Sequence, residues 1–429
     1  MIYTVQSGDS VYQLAKRFGT TVERIANTNG LANPAALIVG EDLVINQPTL
    51  VHRVQEGETL YGIAEQYQVD VTQLWRNNPE LGGRTEIIPG QVLTISLPEP
   101  TLGTMEVNGY AYPFINRETL RKTLPYLTYL SVFSYGIKSD GNLLEIDDEE
   151  VIALARSYGV AAIMVLTSIT ERGTFSSELV SQLMQDENLQ DQIIESIANT
   201  LEQKGYVGVD VDFEYVPAEY ASNYAEFIRK LRERLTPSGK QVWVALAPKS
   251  SGGQSGLLYE GHNYQALGNE ADSVTLMTYE WGYTYGPPQA VAPLNKVREV
   301  VEYAVSVIPT EKIMLGTPNY GYNWTLPYVP GTSKAQSLGN VAARDLALEQ
   351  NVAISFDETA QSPYFRYFVR ENGAPIEHVI WFENARSVEA TLELVREFGL
   401  RGISVWQIMN YFPQLWAVLN SMVTIAKVL

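Results

Sequence analysis

The chain has 429 residues, with 49 acidic against 30 basic side chains and a formal net charge of −19. This excess of acid argues against a nucleic-acid partner, which needs clustered Lys and Arg, and against tight binding to an anionic membrane. Cysteine is absent and histidine occurs three times, which excludes disulfides, thiolate metal sites and cysteine nucleophiles; 45% hydrophobic residues mark a globular chain of several domains.

The first hundred residues contain a repeat, in which YTVQSGDSVYQLAKRFGTTVERIANTNG (3–30) aligns with HRVQEGETLYGIAEQYQVDVTQLWRNNP (52–79). Each copy reads as strand, helix, helix, strand. Ser10 and Thr59 are placed as helix N-caps, and Val11, Leu14, Ala15 and Phe18 recur at helical spacing, as do Leu60, Ile63, Ala64 and Tyr67. The pattern resembles the LysM module, a small βααβ domain that binds glycans containing N-acetylglucosamine. The domains are drawn at 1–47 and 51–97. The resemblance implies glycan contacts from Gly8, Asp9, Ser10, Val11 and Ile38 in the first copy, and from Gly57, Glu58, Thr59, Leu60 and Ile88 in the second. Two copies suggest avidity on a repeating polymer. Pro98 and Pro100 in SLPEPTLGT (96–104) predict an extended, semi-rigid spacer before the rest of the chain.

From 104 to 429, apolar β-rich runs alternate with amphipathic helices. The runs fall at 105–112, 127–135, 161–169, 206–213, 241–248, 272–279, 312–322 and 401–408. Helices are expected at 148–159, at 218–235 and at 387–399, the last capped by Ser387 and stopped by Gly399. This alternation predicts a parallel sheet covered on both faces, and eight units fit an α/β (β/α)8 TIM barrel with a small β-rich insertion after strand seven, at about 323–378. A doubly wound open sheet is the alternative, without a glycine-rich phosphate loop to support it. No run approaches the roughly 18 apolar residues of a membrane span. Met1 leads into IYTVQSGDS with neither a basic n-region nor an apolar h-region, so no signal peptide is expected.

Strand four, YVGVDVDFEY (206–215), carries Asp210, Asp212 and Glu214 at alternate positions. A strand has a side-chain period of two, so all three acids share one face. At the C-terminal end of a barrel strand they would face the mouth, where mutual repulsion and poor solvation raise carboxyl pKa values. A protonated carboxyl beside an ionised one is what glycosidic cleavage requires.

GVDVDFEY resembles the DxxDxDxE signature of family 18 glycoside hydrolases, with Val207 in place of the first acid. MTYEW (277–281) resembles the family's MxYD motif through Met277 and Tyr279, with Glu280 replacing the aspartate. GTPNYG (316–321), containing Tyr320, resembles GxPxYG, and GISVWQI (402–408) ends on Trp406, where the family has the tryptophan under the −1 sugar.

The resemblance implies Glu214 as general acid and then base, with the substrate's own 2-acetamido carbonyl as nucleophile. Asp212 would orient the acetamido N–H, Asp210 would share its proton, Tyr279 would hold the acetamido oxygen, and Trp406, Glu280, Met277 and Tyr320 would contact the sugar. No metal or cofactor is implied. Two LysM copies fused to this barrel resemble the spore-cortex fragment-lytic N-acetylglucosaminidases of spore-forming bacilli, which implies peptidoglycan as partner and a spore coat or cortex location. A chitinase-like endo-N-acetylglucosaminidase acting on another N-acetylglucosamine polymer and a non-catalytic glycan-binding spore-coat protein are the alternatives; the intact Glu214 weighs against the latter.

Overall fold

The computed structural model describes residues 1–138, 140–170, 174–371 and 374–429. Eight parallel strands form the centre: β1 (Thr104–Ala111), β2 (Tyr129–Ile137), β3 (Ala161–Thr167), β4 (Gly208–Asp212), β5 (Gln241–Leu246), β6 (Ser273–Leu276), β7 (Ile313–Pro318) and β8 (Gly402–Trp406). Strand β1 pairs with β8 on one side and with β2 on the other, closing the ring. All seven residues of β3 are buried, as a strand packed between barrel interior and helices must be.

The interior is layered. Tyr129, Ile163, Trp243 and Met314 fill the floor, joined by Val207 from just before β4. A polar layer lies above it, in which Ser131 donates to Asn108 at 3.0 Å and Asn108 to Ser404 at 3.3 Å. Tyr110, Phe133 and Val165 form the aromatic-rich top with Tyr112 and Trp406. On the outward face of β4, Val209 and Val211 are buried, and Phe213 just beyond it stacks on Tyr224 and Phe227 of the helix Ala221–Leu235.

The insertion is a five-stranded antiparallel sheet with the helix Asn340–Glu349 against it. It starts at Gly321, two residues earlier than expected. The run read as one strand breaks at Asn319 and Tyr320, and Gly321–Thr325 pairs with Ala374–Trp381 instead of with the barrel. The helix after the insertion spans Ala385–Phe398, and its cap is Asn384 rather than Ser387. Ser387 completes a capping box, its hydroxyl accepting from the Asn384 N–H while the Asn384 side chain accepts from the Ser387 N–H.

Each LysM copy folds as strand, two helices, strand, with Ile2–Thr4 against Asp42–Val44 and Leu50–Arg53 against Val92–Ser96. Ser10 and Thr59 cap their helices, accepting from the N–H groups of Gln13 and Gly62. The linker does not space these modules away from the barrel. Gln414 of the barrel's last helix, Pro413–Met422, donates to the Asp42 carbonyl at 2.6 Å, and Asn420 of the same helix donates to Asn77 at 3.0 Å. Trp75 packs on Tyr158 with ring centroids 4.9 Å apart. Buried polar and aromatic contacts hold both modules down, which proline content alone could not reveal.

Candidate active site

The period-two alternation of β4 delivers Asp210, Asp212 and Glu214 to the barrel mouth in order of increasing exposure. Asp210 is fully buried, Asp212 is 7% exposed, and Glu214 is half-buried just beyond the strand. Tyr110 on β1 donates its hydroxyl proton to Asp210 Oδ2 at 2.6 Å. The other oxygen, Asp210 Oδ1, is buried without a hydrogen-bond partner among the described residues, and so is Asp212 Oδ1. Unpaired buried acceptors are costly and mark a place where a donor from outside is expected.

The electrostatics follow from that burial. Removal from water pushes Asp210 up to about 6, tempered by the Tyr110 hydrogen bond. Asp212 is raised well above the usual carboxylate range, by burial first and then by the charges of Glu214 and Asp210. Glu214 is raised by burial and then by Glu280 beyond the end of β6, and it also shares the mutual repulsion with Asp212 on its own strand. Burial and the four surrounding carboxylates hold Tyr279 firmly protonated, as a hydrogen-bond donor.

Glu280 reaches the site through its backbone. It and Tyr215, which follows Glu214, hold φ values of 66° and 56°, in the left-handed region uncommon for residues other than glycine and concentrated at functional sites. Its carboxylate accepts from the Tyr320 hydroxyl and from Tyr322 at 3.1 Å. Tyr320 therefore holds Glu280. Gly316 is required beside it, because a Cβ there would overlap the Leu276 carbonyl and press on the Tyr279 ring.

Trp406 ends β8 with its ring edge-on to Phe133 at 4.9 Å and to Tyr110 at 5.5 Å. Trp406, Asp212, Glu214, Met277, Tyr279 and Glu280 line one cleft of about 870 Å³. A second recess of about 610 Å³ shares Glu214, Met277, Tyr279 and Glu280, so the groove continues past the acid on both sides. All eight barrel residues singled out in the sequence thus converge, although Asp210 lies beneath the cleft and Tyr320 acts through Glu280.

Four contributors were missed. Tyr110 was legible, since period-two alternation puts Asn108, Tyr110 and Tyr112 on one face of β1. Tyr322 had no separate signal. Asn319 receives no motif role, yet its N–H donates to the Trp406 carbonyl at 2.9 Å and its side chain to Gln407 and Asn410 carbonyls. His262 is buried, accepts from the Ala247 N–H at 3.0 Å, and through Nε2 meets the Phe213 carbonyl at 3.1 Å, pinning the chain just before Glu214.

The LysM candidates separate. Val11 and Leu60 are core residues. Asp9 and Glu58 close their own turns by accepting from the N–H groups of Gln6 and Gln55. Gly8 and Gly57 stand open at φ 91° and 87°. Ile88 is 69% exposed, but its counterpart Ile38 is 5% exposed and packs into the insertion's core, away from solvent.

Among the described residues no helix is long and apolar enough to cross a membrane. Residues 112–410 match glycosyl hydrolases family 18, and residues 3–46 and 52–96 each match the LysM domain. The chain is similar to the cortical fragment-lytic enzyme of Bacillus anthracis, 39% identical over 99% of both chains, and to that of Bacillus subtilis, 36% identical over 99% of both. Its fold matches the crystal structure of the spore cortex-lytic enzyme SleL of Bacillus cereus with a TM-score of 0.84, at 39% identity, covering 100% of this chain and 98% of that one.

Proposed function

The chain belongs to glycosyl hydrolases family 18 and carries two LysM domains, and from that premise we propose that it cleaves spore-cortex peptidoglycan after N-acetylglucosamine by substrate assistance. It is a glycoside hydrolase of the (β/α)8 kind, and its LysM domains indicate glycans containing N-acetylglucosamine. The observation that carries the mechanism is that Asp212, whose buried Oδ1 has no hydrogen-bond partner among the described residues, lines the same cleft as Glu214 and Trp406.

An acetamido N–H from the −1 sugar supplies the donor that Asp212 Oδ1 lacks. Tyr279, kept protonated, donates to the acetamido carbonyl oxygen and aims it at C1. Glu214 gives its proton to the glycosidic oxygen as the C1–O bond breaks and the carbonyl oxygen bonds to C1, forming an oxazolinium ion. The positive charge that develops is balanced by Asp212, whose own charge is shared with Asp210. Glu214, now a carboxylate, takes a proton from water; the water oxygen bonds to C1 and the ring opens with retained configuration. Trp406 gives the sugar an apolar floor.

Bond choice follows from the same chemistry. N-acetylglucosamine has a free acetamido group, whereas in muramic-δ-lactam the amide is locked in a ring and cannot attack C1. The similarity to cortex-lytic enzymes of Bacillus supports the cortex as substrate and the spore coat or cortex as location. The test is to digest cortex fragments, reduce the new ends with borohydride and identify them by mass spectrometry. Reduced N-acetylglucosamine is expected, and its formation should vanish in Glu214→Gln. Reduced muramic residues would refute the bond assignment, and no new ends on cortex or chitin oligomers would favour a binding protein.

A further inference from the structure

We infer that the two LysM modules do different work: the second presents the open glycan groove, and the first has turned the matching rim into a brace for the insertion beside the active site. This rests on the glycan reading of the LysM domains given above. The two modules share a local device and differ in what is attached to it. In the second, the Ile88 N–H donates to Gln91 Oε1 at 3.2 Å, which shapes the loop before the last strand. In the first, the Ile38 N–H donates to Glu41 Oε1 at 2.6 Å in the same way. Only Glu41 carries a charge, and that charge is taken by Arg344 of the insertion helix, with Nε to Oε2 at 2.9 Å.

The rest of the first rim follows Glu41. Arg344 also donates to the Ala36 carbonyl at 2.8 Å, and the Ile354 N–H donates to the Val39 carbonyl at 3.0 Å. Gly40 lies so close that a Cβ would overlap the Ile354 carbonyl oxygen, whereas a Cβ on Gly90, its counterpart, would meet nothing. Ile38 packs with Ala343, Ile354 and Phe365 in the core of the insertion, while Ile88 stands in solvent. The second module docks instead through Trp75 and Gly83, where Tyr158 of the barrel packs on Trp75 with ring centroids 4.9 Å apart and donates to the Gly83 carbonyl at 2.6 Å. A glycan strand can therefore lie across the second rim, while backbone groups of the first are already engaged. The avidity expected of two copies is replaced by one capture site and one structural contact.

The experiment uses the full chain carrying Glu214→Gln, which stops turnover, and Trp406→Ala, which removes the apolar floor of the barrel groove, titrated calorimetrically with the tetramer of N-acetylglucosamine. One site per chain is expected. Adding Ile88→Asp should weaken it by about tenfold or more, the scale of losing one buried aliphatic contact. Val39→Asp, at a first-module position 46% exposed, should leave the affinity within about twofold. Arg344→Ala should lower the thermal midpoint and keep the site. Two equal sites, equal losses from the two Asp variants, or an unmoved midpoint in Arg344→Ala would overturn the division of work. No binding at all would overturn it together with LysM capture; cortex hydrolysis by the unsubstituted chain then tells that failure from failure of the enzyme assignment.

Discussion

Tyr110 and Asp210 meet across the barrel interior, the phenol of β1 donating to the deepest carboxylate of β4 at 2.6 Å. The bond stabilises the ionised form of Asp210 and restrains the rise in its pKa, which still reaches about 6. Tyr110→Phe should therefore raise the Asp210 pKa and move the acid limb of the kcat/KM profile to higher pH. A hydrogen bond to a charged group contributes about 1.5–3 kcal/mol, so kcat should fall roughly tenfold to a hundredfold. An unmoved acid limb would separate Asp210 from the reaction.

Glu280 tests the link between strand ends. Its charge adds to burial in raising Glu214. The active form of Glu214 is protonated, so lowering its pKa loses activity at lower pH. Glu280→Gln keeps an acceptor for Tyr320 and Tyr322 but removes the charge, and the alkaline limb of the profile should shift down. A shift upward, or none, would remove Glu280 from the electrostatics of the acid.

His262 predicts acid lability. Burial lowers its pKa from 6.5 to about 4, so the folded state holds it neutral where an unfolded chain would bind a proton. Stability from this group is present above pH 6.5 and is lost as pH falls towards 4. Thermal midpoints should decline over that window, and His262→Gln should flatten the decline while costing about 1–3 kcal/mol at neutral pH.

Glu383 predicts the opposite slope. It is buried beside the insertion, its Oε1 without a hydrogen-bond partner among the described residues, and burial, tempered by a hydrogen bond with Ser387, raises its pKa from 4.5 to about 8. The folded state retains a proton that the unfolded chain releases, so stability falls as pH rises from 4.5 to 8. Glu383→Gln should gain thermal midpoint relative to the parent at pH 8 and little at pH 4. Parallel melting curves for the two proteins across that range would contradict the assigned burial.

The fold was legible because its signals are periodic. The repeat at 3–30 and 52–79, the period of two in Asp210, Asp212 and Glu214, and the eight apolar runs report faces of local elements, and local elements obey backbone geometry. Asn384 as cap and the break of strand seven at Asn319 were misread, since each is decided by a partner distant in sequence. Asn319 serves the Trp406 carbonyl, and Asn384 donates to Asp42 of the first LysM module at 2.6 Å.

The sequence by itself determined which side chains face the barrel mouth and which chemistry they can perform, because strand alternation and residue type need no third dimension. Tertiary structure alone decided that Tyr110 holds Asp210, that Glu280 charges the surroundings of Glu214, and that Ile38 is buried while Ile88 is free. Those outcomes depend on burial and on Coulomb and hydrogen-bond contacts between residues far apart in the chain, and such energies depend on distance in space rather than position in sequence.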